Sequence, residues 1–300
     1  NQYIAEAGKN GAALAIVERK NLKVKVPQIK VKNAHRALIK LANYSRLKSS
    51  AKIIAITGSV GKTSTKDALA HILKQEQKVF TARKSFNNIF GVPLEILNMP
   101  KNTKIGIFEL GMNHKYELTK LVEILKPQIG VILNINYVHG GNFTDLKDIA
   151  QAKAEIINSK FPVNTIILNK DCNHFKIISE KVKRTKIEKI ITYSMSKKAN
   201  LMYQNHTTNN SNLVIEVNVN KEKIIKYKIN SINDYLIGNT MAIIASLEAA
   251  GLNLNLIKNL KNLKLTEGRG DITRFKKTNK TIELHNHSYN SSPISLFSGL

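Results

Sequence analysis

One stretch of the chain restricts its folding more than any other. An apolar run, Ile53-Ile54-Ala55-Ile56-Thr57, leads into the turn Gly58-Ser59-Val60-Gly61-Lys62-Thr63, and a helical pattern follows over Lys62–Leu73. Side chains alternate sides along a strand, so an unbroken apolar run suits a strand covered on both faces. A Gly-rich turn between such a strand and a helix aims backbone N–H groups and the positive helix end at an anion. Lys62 is then placed to reach terminal phosphates, and the Thr63 hydroxyl to ligate an accompanying Mg2+. The turn reads as a phosphate loop that holds ATP, with Gly58, Ser59, Val60, Gly61, Lys62, Thr63 and Ser64 as nucleotide-binding residues. Its spacing is short: the general pattern needs a glycine five residues before Gly61, and that position is Ile56. An accidental Gly-Lys-Thr on a surface turn would lack the flanking strand and helix.

The same alternation of elements continues downstream. Apolar runs at Ile105–Leu110, Ile129–Ile135 and Thr165–Leu168 are separated by helical stretches at Lys115–Leu125 and Asp145–Ile157. This predicts βαβ units and a mostly parallel sheet, an α/β fold. Ahead of the loop, Ala13–Val17 and Val24–Val31 read as extended and Ala34–Leu47 as an amphipathic helix. The polar stretch Arg46–Ser50 suits a linker between domains. Beyond residue 195, Leu213, Ile215, Val217 and Val219 alternate with polar residues, the pattern of a half-exposed strand, with Ile224–Ile229 as its antiparallel partner. Tyr235–Ala250 returns to helical spacing and ends at Gly251, a helix cap. Ile272–Phe275 and Thr281–Leu284 read as two more strands.

Composition narrows the function classes. The 300 residues are 42% hydrophobic and 23% charged, enough for one large core or two smaller ones. No apolar run is long enough to span a bilayer, and no basic segment followed by an apolar one opens the chain, so no membrane insertion and no secretory signal is read. Cys172 is the sole cysteine, which rules out an intrachain disulfide and a cysteine zinc cluster and fits a cytoplasmic location. The net charge is +26, but the lysines are spread along the chain and there is no Trp. Nucleic-acid surfaces cluster charge and interleave aromatics, so no nucleic-acid partner is read; the excess instead draws small polyanions.

Six further residues, in four segments, are candidates at the same edge. Glu109 ends the strand beginning at Ile105, where a carboxylate beside a phosphate loop suits Mg2+ and a solvated strand-end acid is the bland alternative. His139 follows another strand at the same edge, although a lone histidine is more often structural. Lys153 and Glu155 sit on the helix from Asp145, where most lysines are merely solvated. Asn87-Asn88 before Gly91-Val92-Pro93 read as a loop with a helix start.

Taken together these segments resemble the Mur ligase family, ATP-dependent amide-forming ligases of peptidoglycan precursor synthesis. The resemblance rests on Thr57–Lys66, on Asn87-Asn88-Ile89-Phe90-Gly91-Val92-Pro93-Leu94, and on Glu109-Leu110-Gly111-Met112-Asn113. Asn134-Ile135 with His139, Ala152-Lys153-Ala154-Glu155-Ile156, Gly268-Arg269 and Tyr289-Asn290-Ser291-Ser292-Pro293 complete it. It implies three domains: a remnant of a UDP-substrate domain over 1–48, a central ATP-binding domain over 49–266, and the start of a Rossmann-like C-terminal domain over 267–300. It implies substrates as well, D-alanyl-D-alanine and a UDP-N-acetylmuramoyl-tripeptide, joined after ATP phosphorylates the tripeptide carboxylate. On that footing Lys62, His139 and Lys153 are catalytic; Thr63 and Glu109 hold one Mg2+ and His139 a second. Lys153 is the lysine that carries a carbamate facing the metal, Asn239 contacts adenine, Arg269 contacts the nucleotide, and the protein is a monomer.

The sequence departs from the family in places. Asn286-His287 stand where an acidic pair is expected, so the ribose contact from that side is in question. Tyr235-Leu236-Ile237-Gly238-Asn239 keeps only the final Asn of its helix motif. The chain lacks an initiator Met and stops at Ser298-Gly299-Leu300, so a fragment or decaying gene product is expected, with little or no ligase turnover on its own. Two alternatives stand beside the main reading: another ligase of the superfamily, including the folylpolyglutamate type, and an ATP-binding protein without ligase activity.

Overall fold

The computed structural model describes residues 3–83, 86–137, 142–157, 160–209, 212–231, 233–263, 268, 271–277, 280–286 and 288. The N-terminal part holds helix α1 (Ile4–Lys9) and two short parallel strands, β1 (Ala15–Val17) and β2 (Gln28–Lys30), followed by α2 (Ala34–Lys48). The central sheet is then built from β3 (Lys52–Thr57), α3 (Lys62–Leu73), β4 (Val79–Thr81), α4 (Gly91–Asn98), β5 (Ile105–Glu109), α5 (Glu117–Leu125), β6 (Ile129–Ile132), α6 (Leu146–Lys153), β7 (Thr165–Asn169), α7 (Phe175–Lys183) and β8 (Lys189–Ser194). Three longer strands extend it: β9 (Leu201–Asn209), β10 (Asn212–Val219) and β11 (Lys223–Ile229). Helix α8 (Tyr235–Ala250) and a 3-10 helix (Leu254–Asn262) return across the sheet, and β12 (Asp271–Lys277) pairs with β13 (Lys280–Asn286) as an antiparallel hairpin.

The nine strands lie in the order β11-β10-β9-β8-β7-β6-β3-β5-β4. From β4 to β9 every pairing is parallel, and β10 and β11 are antiparallel. The mostly parallel sheet expected from the apolar runs is therefore present, and those runs have a direct cause. In β3, Ile54 and Ile56 pack with α3 and α8 on one face, whereas Ile53 and Ala55 pack with α2, α4 and α5 on the other, all with no exposed surface. Only the antiparallel end alternates: Leu213, Ile215 and Val217 face inward opposite Ile229, Tyr227 and Ile225, and the residues between them are half-buried on β10 and exposed on β11.

Several ends differ from expectation for local reasons. Strand β6 stops at Ile132 rather than Ile135, because Leu133–Asn136 turn onto the phosphate loop. Helix α5 starts at Glu117, after Tyr116 with its positive φ of 68°. Helix α6 is capped by the Asp145 side chain, which accepts from the Asp148 N–H at 2.7 Å, and it tightens into a 3-10 turn over Ala154–Ile156. The Arg46–Ser50 stretch, expected as a linker, is anchored. The buried Arg46 guanidinium donates to the carbonyls of Ser49, Leu125 and Lys126 and to Gln128 Oε1, fixing α2 to the end of α5.

Candidate active site

Strand β3 lies in the middle of the sheet, so the turn at its carboxyl end is flanked by the ends of β5 and β6, the usual ligand edge of an α/β sheet. Gly61, with φ of 83°, caps the N-terminus of α3 in a conformation that favours glycine. The loop is held from the β6 side. Ser59 N–H donates to the Asn134 carbonyl at 3.1 Å, and Val60 N–H donates to Asn134 Oδ1 at 2.9 Å. Asn134 Nδ2 returns a bond to the Val60 carbonyl at 3.0 Å, and the Ser59 hydroxyl donates to the Asn136 carbonyl while accepting from the Asn136 N–H. Two of the loop N–H groups are thus satisfied within the protein. Helix α3 starts directly after Gly61, and a helix N-terminus at this place favours an anion.

Lys62 Nζ arches back over the loop and donates to the Gly58 carbonyl at 2.8 Å and the Ser59 carbonyl at 3.3 Å. On the β5 side, Thr63 Oγ1 donates to Glu109 Oε2 at 2.6 Å, and Asn87 Nδ2 donates to Glu109 Oε1 at 2.7 Å. The Glu109 carboxylate, 3% exposed, is fixed at both oxygens. Lys153, at the end of α6, is 2% exposed. Burial, and secondly the positive charge of Lys62, push its pKa well below the usual lysine value. The structure therefore brings Lys62, Thr63, Glu109 and Lys153 to one edge.

A small cavity lies between α3, α8 and the 3-10 helix. Its polar lining includes Ser64, Asp67, Asn230, Ser231 and Asn239. Asn239 also abuts the phosphate loop: a Cβ placed on Gly61 would lie 2.7 Å from its Oδ1. Glu155 does not face the loop; it accepts from the N–H groups of Tyr116 and Thr119 and so caps α5. His139, Arg269, His287 and Tyr289–Pro293 lie outside the described residues, and Asn286 accepts from the Ser288 N–H. The sequence reading placed Asn87 in a loop, named Asn134 only within the segments of the resemblance, and gave neither a role at the site. Their partners are 22 and 74 positions away, so nothing local announces them.

The strand, loop, helix and strand-end carboxylate define a phosphate-loop α/β protein with a short, side-chain-braced loop. Residues 56–247 match the Mur ligase middle domain, and the chain belongs to the Mur ligase family. It is 35% identical over 304 residues to UDP-N-acetylmuramoyl-tripeptide--D-alanyl-D-alanine ligase of Rickettsia prowazekii, covering 100% of this chain and 66% of that protein. Its fold superposes on MurF from Acinetobacter baumannii with a TM-score of 0.86 and 26% identity, covering 99% of this chain and 64% of that one. It also superposes on MurF ligase from Thermotoga maritima in complex with ADP, with a TM-score of 0.81 and 24% identity, covering 99% and 67% of the two chains. The chain spans just under two thirds of the length of the Rickettsia relative.

Proposed function

We propose that this chain carries the ATP-handling centre of a cytoplasmic ligase that joins D-alanyl-D-alanine to a UDP-N-acetylmuramoyl-tripeptide in peptidoglycan precursor synthesis. The observation that carries the reading is the Thr63–Glu109 pair, set beside a phosphate loop with the buried Lys153 close to Lys62. The names of the relatives and the ADP complex of the Thermotoga ligase support it. We keep the division into 1–48, 49–266 and 267–300, and a monomeric state, as part of this proposal.

The donors fit Mg2+. A hydroxyl and one carboxylate are hard oxygen ligands, and Mg2+ is commonly held by one or two carboxylates together with substrate phosphates. Among the described residues no group of three His, Cys, Asp or Glu side chains gathers into a metal cage. When bound, Mg2+ neutralises phosphate oxygens as a Lewis acid. The N–H groups of Gly61–Ser64 orient the phosphates, and Lys62 offsets the charge on the terminal one. The tripeptide carboxylate oxygen then attacks the γ-phosphorus and ADP departs. The dipeptide amine adds to the acyl carbon and the tetrahedral intermediate expels phosphate. A carboxylate is a poor electrophile, and the acyl phosphate supplies the missing leaving group.

Lys153 has a defined place in this scheme. An amine held neutral by burial would attack CO2, forming a carbamate and releasing a proton, and so would supply an anionic ligand for Mg2+. His139 is its partner at a second Mg2+ in the same proposal, and Asn239 and Arg269 contact the nucleotide. A phosphate-release assay tests the ligase reading. Release that requires both the UDP-tripeptide and D-alanyl-D-alanine supports it. Failure of the chain to bind MgATP, or release supported by glutamate in place of D-alanyl-D-alanine, overturns it.

A further inference from the structure

We infer that Asn134 is a positioning residue of the phosphate loop, the side chain that sets which of the loop's N–H groups face the nucleotide. The inference rests on the ATP-binding reading above and adds a residue to it.

The short loop poses a physical problem. A longer loop can wrap its own backbone around a phosphate. Here only Gly58, Ser59 and Val60 lie between the end of β3 and the capping Gly61, so the turn needs an outside support. The Asn134 side chain supplies one. Its carboxamide pairs with Val60 as a neighbouring strand would, accepting from the N–H at 2.9 Å and donating to the carbonyl at 3.0 Å. This two-point pair fixes the two peptide groups on either side of Val60 and withdraws its N–H from the anion. The first turn of α3, whose N–H groups have no partner within the helix itself, follows directly after Gly61.

The support is itself rigid. The carbonyl of Leu133, one residue earlier, accepts from both Asn169 Nδ2 and Tyr193 Oη at 3.1 Å, which ties the turn to the ends of β7 and β8. The fit is also close: a Cβ on Gly58 would lie 3.0 Å from Leu133 Cβ and 3.5 Å from the Asn134 nitrogen. The loop is therefore positioned by a block that spans the carboxyl ends of three strands.

The test separates positioning from general stability. MgATP affinity is measured by calorimetry, and adenosine affinity by saturation-transfer NMR, for the 300-residue chain and the variants Asn134→Ala and Asn134→Asp. Adenosine has no phosphate and should be indifferent to the loop. Loss of the two-point pair is expected to weaken MgATP about 10-fold in Asn134→Ala. The loss in Asn134→Asp should be at least as large, because the near-isosteric carboxylate keeps the acceptor, loses the donor and adds a negative charge; this variant decides the matter if Asn134→Ala does not fold. Adenosine affinity is expected to stay within about twofold of wild type. MgATP binding within about twofold of wild type in the folded variants overturns the inference. So does a parallel loss of adenosine binding, which marks a general structural role. Failure of the unaltered chain to bind MgATP instead sinks the nucleotide reading, and the two failures are thus distinguishable.

Discussion

Replacing Gly61 by alanine perturbs the site at its tightest point. Two effects are readable from the structure. Gly61 has a φ of 83°, and a residue with a Cβ pays about 1–2 kcal/mol to stay in the left-handed region. The added Cβ would also lie 2.7 Å from Asn239 Oδ1 and 3.0 Å from Nδ2. A carboxamide is the far end of a side chain and can rotate away, so the contact adds little to the stability loss but moves Asn239 out of the cavity. The expected thermal midpoint falls by about 2–8 °C, at about 2–4 °C per kcal/mol for a domain of this size. MgATP binding weakens in addition. Differential scanning fluorimetry and calorimetry on Gly61→Ala, Asn239→Ala and the double variant resolve the two parts. In the double variant the carboxamide is gone, so the stability cost of Gly61→Ala should persist while its further effect on affinity largely disappears. An unchanged melting point in Gly61→Ala, or fully additive affinity losses, would refute the reasoning.

Other positions give independent checks. Glu109→Gln keeps an acceptor for Asn87, and its amide can donate to the Thr63 hydroxyl, so the midpoint should shift by no more than about 1 kcal/mol in equivalent stability while Mg2+-dependent tightening of ATP binding is lost; titrations with and without Mg2+ show this. Lys153→Met should stabilise the protein in CO2-depleted buffer, because the buried ammonium is disfavoured. The sign follows from its lowered pKa. The unfolded chain binds that proton more readily, so the penalty is full below the folded pKa and fades as pH rises toward about 10.5. Urea midpoints of wild type and Lys153→Met should therefore converge with rising pH, and a constant gap would contradict the assignment. Arg46→Met strands the acceptors that fix α2 and should cost about 2–4 kcal/mol, seen as early exchange of the α2 amides in hydrogen-exchange measurements.

What the sequence made legible follows burial. Strands β3, β5, β6 and β7 were readable because both faces are covered, which leaves an unbroken apolar run in each. Strands β4 and β8 were not. Val79–Thr81 is three residues long, and Lys189–Ser194 starts with two exposed residues. Strand β9 reads Leu-Met-Tyr-Gln-Asn-His-Thr-Thr-Asn, polar because most of it is exposed or half-exposed. The helix start read at Gly91-Val92-Pro93 is present as α4, where Asn88 Oδ1 accepts from the N–H groups of Phe90 and Gly91. At the site, Lys62, Thr63 and Glu109 were visible from their places after strands. The burial of Lys153 was not, since it depends on how α6 packs rather than on its own composition.

The central position of β3 also fixes the order in which the site can assemble during synthesis. The strand emerges before either of its neighbours, β5 and β6, and cannot pair until they follow. Val60 waits a further 74 residues for Asn134 to appear. At about 5–20 residues per second that is a delay of roughly 4–15 s, during which the loop sequence is complete but its shape is not. Nucleotide binding by a nascent chain would then report the arrival of β6 rather than of the loop itself, and a ribosome stalled before Asn134 should display a Gly-Ser-Val-Gly-Lys-Thr segment with little hold on ATP.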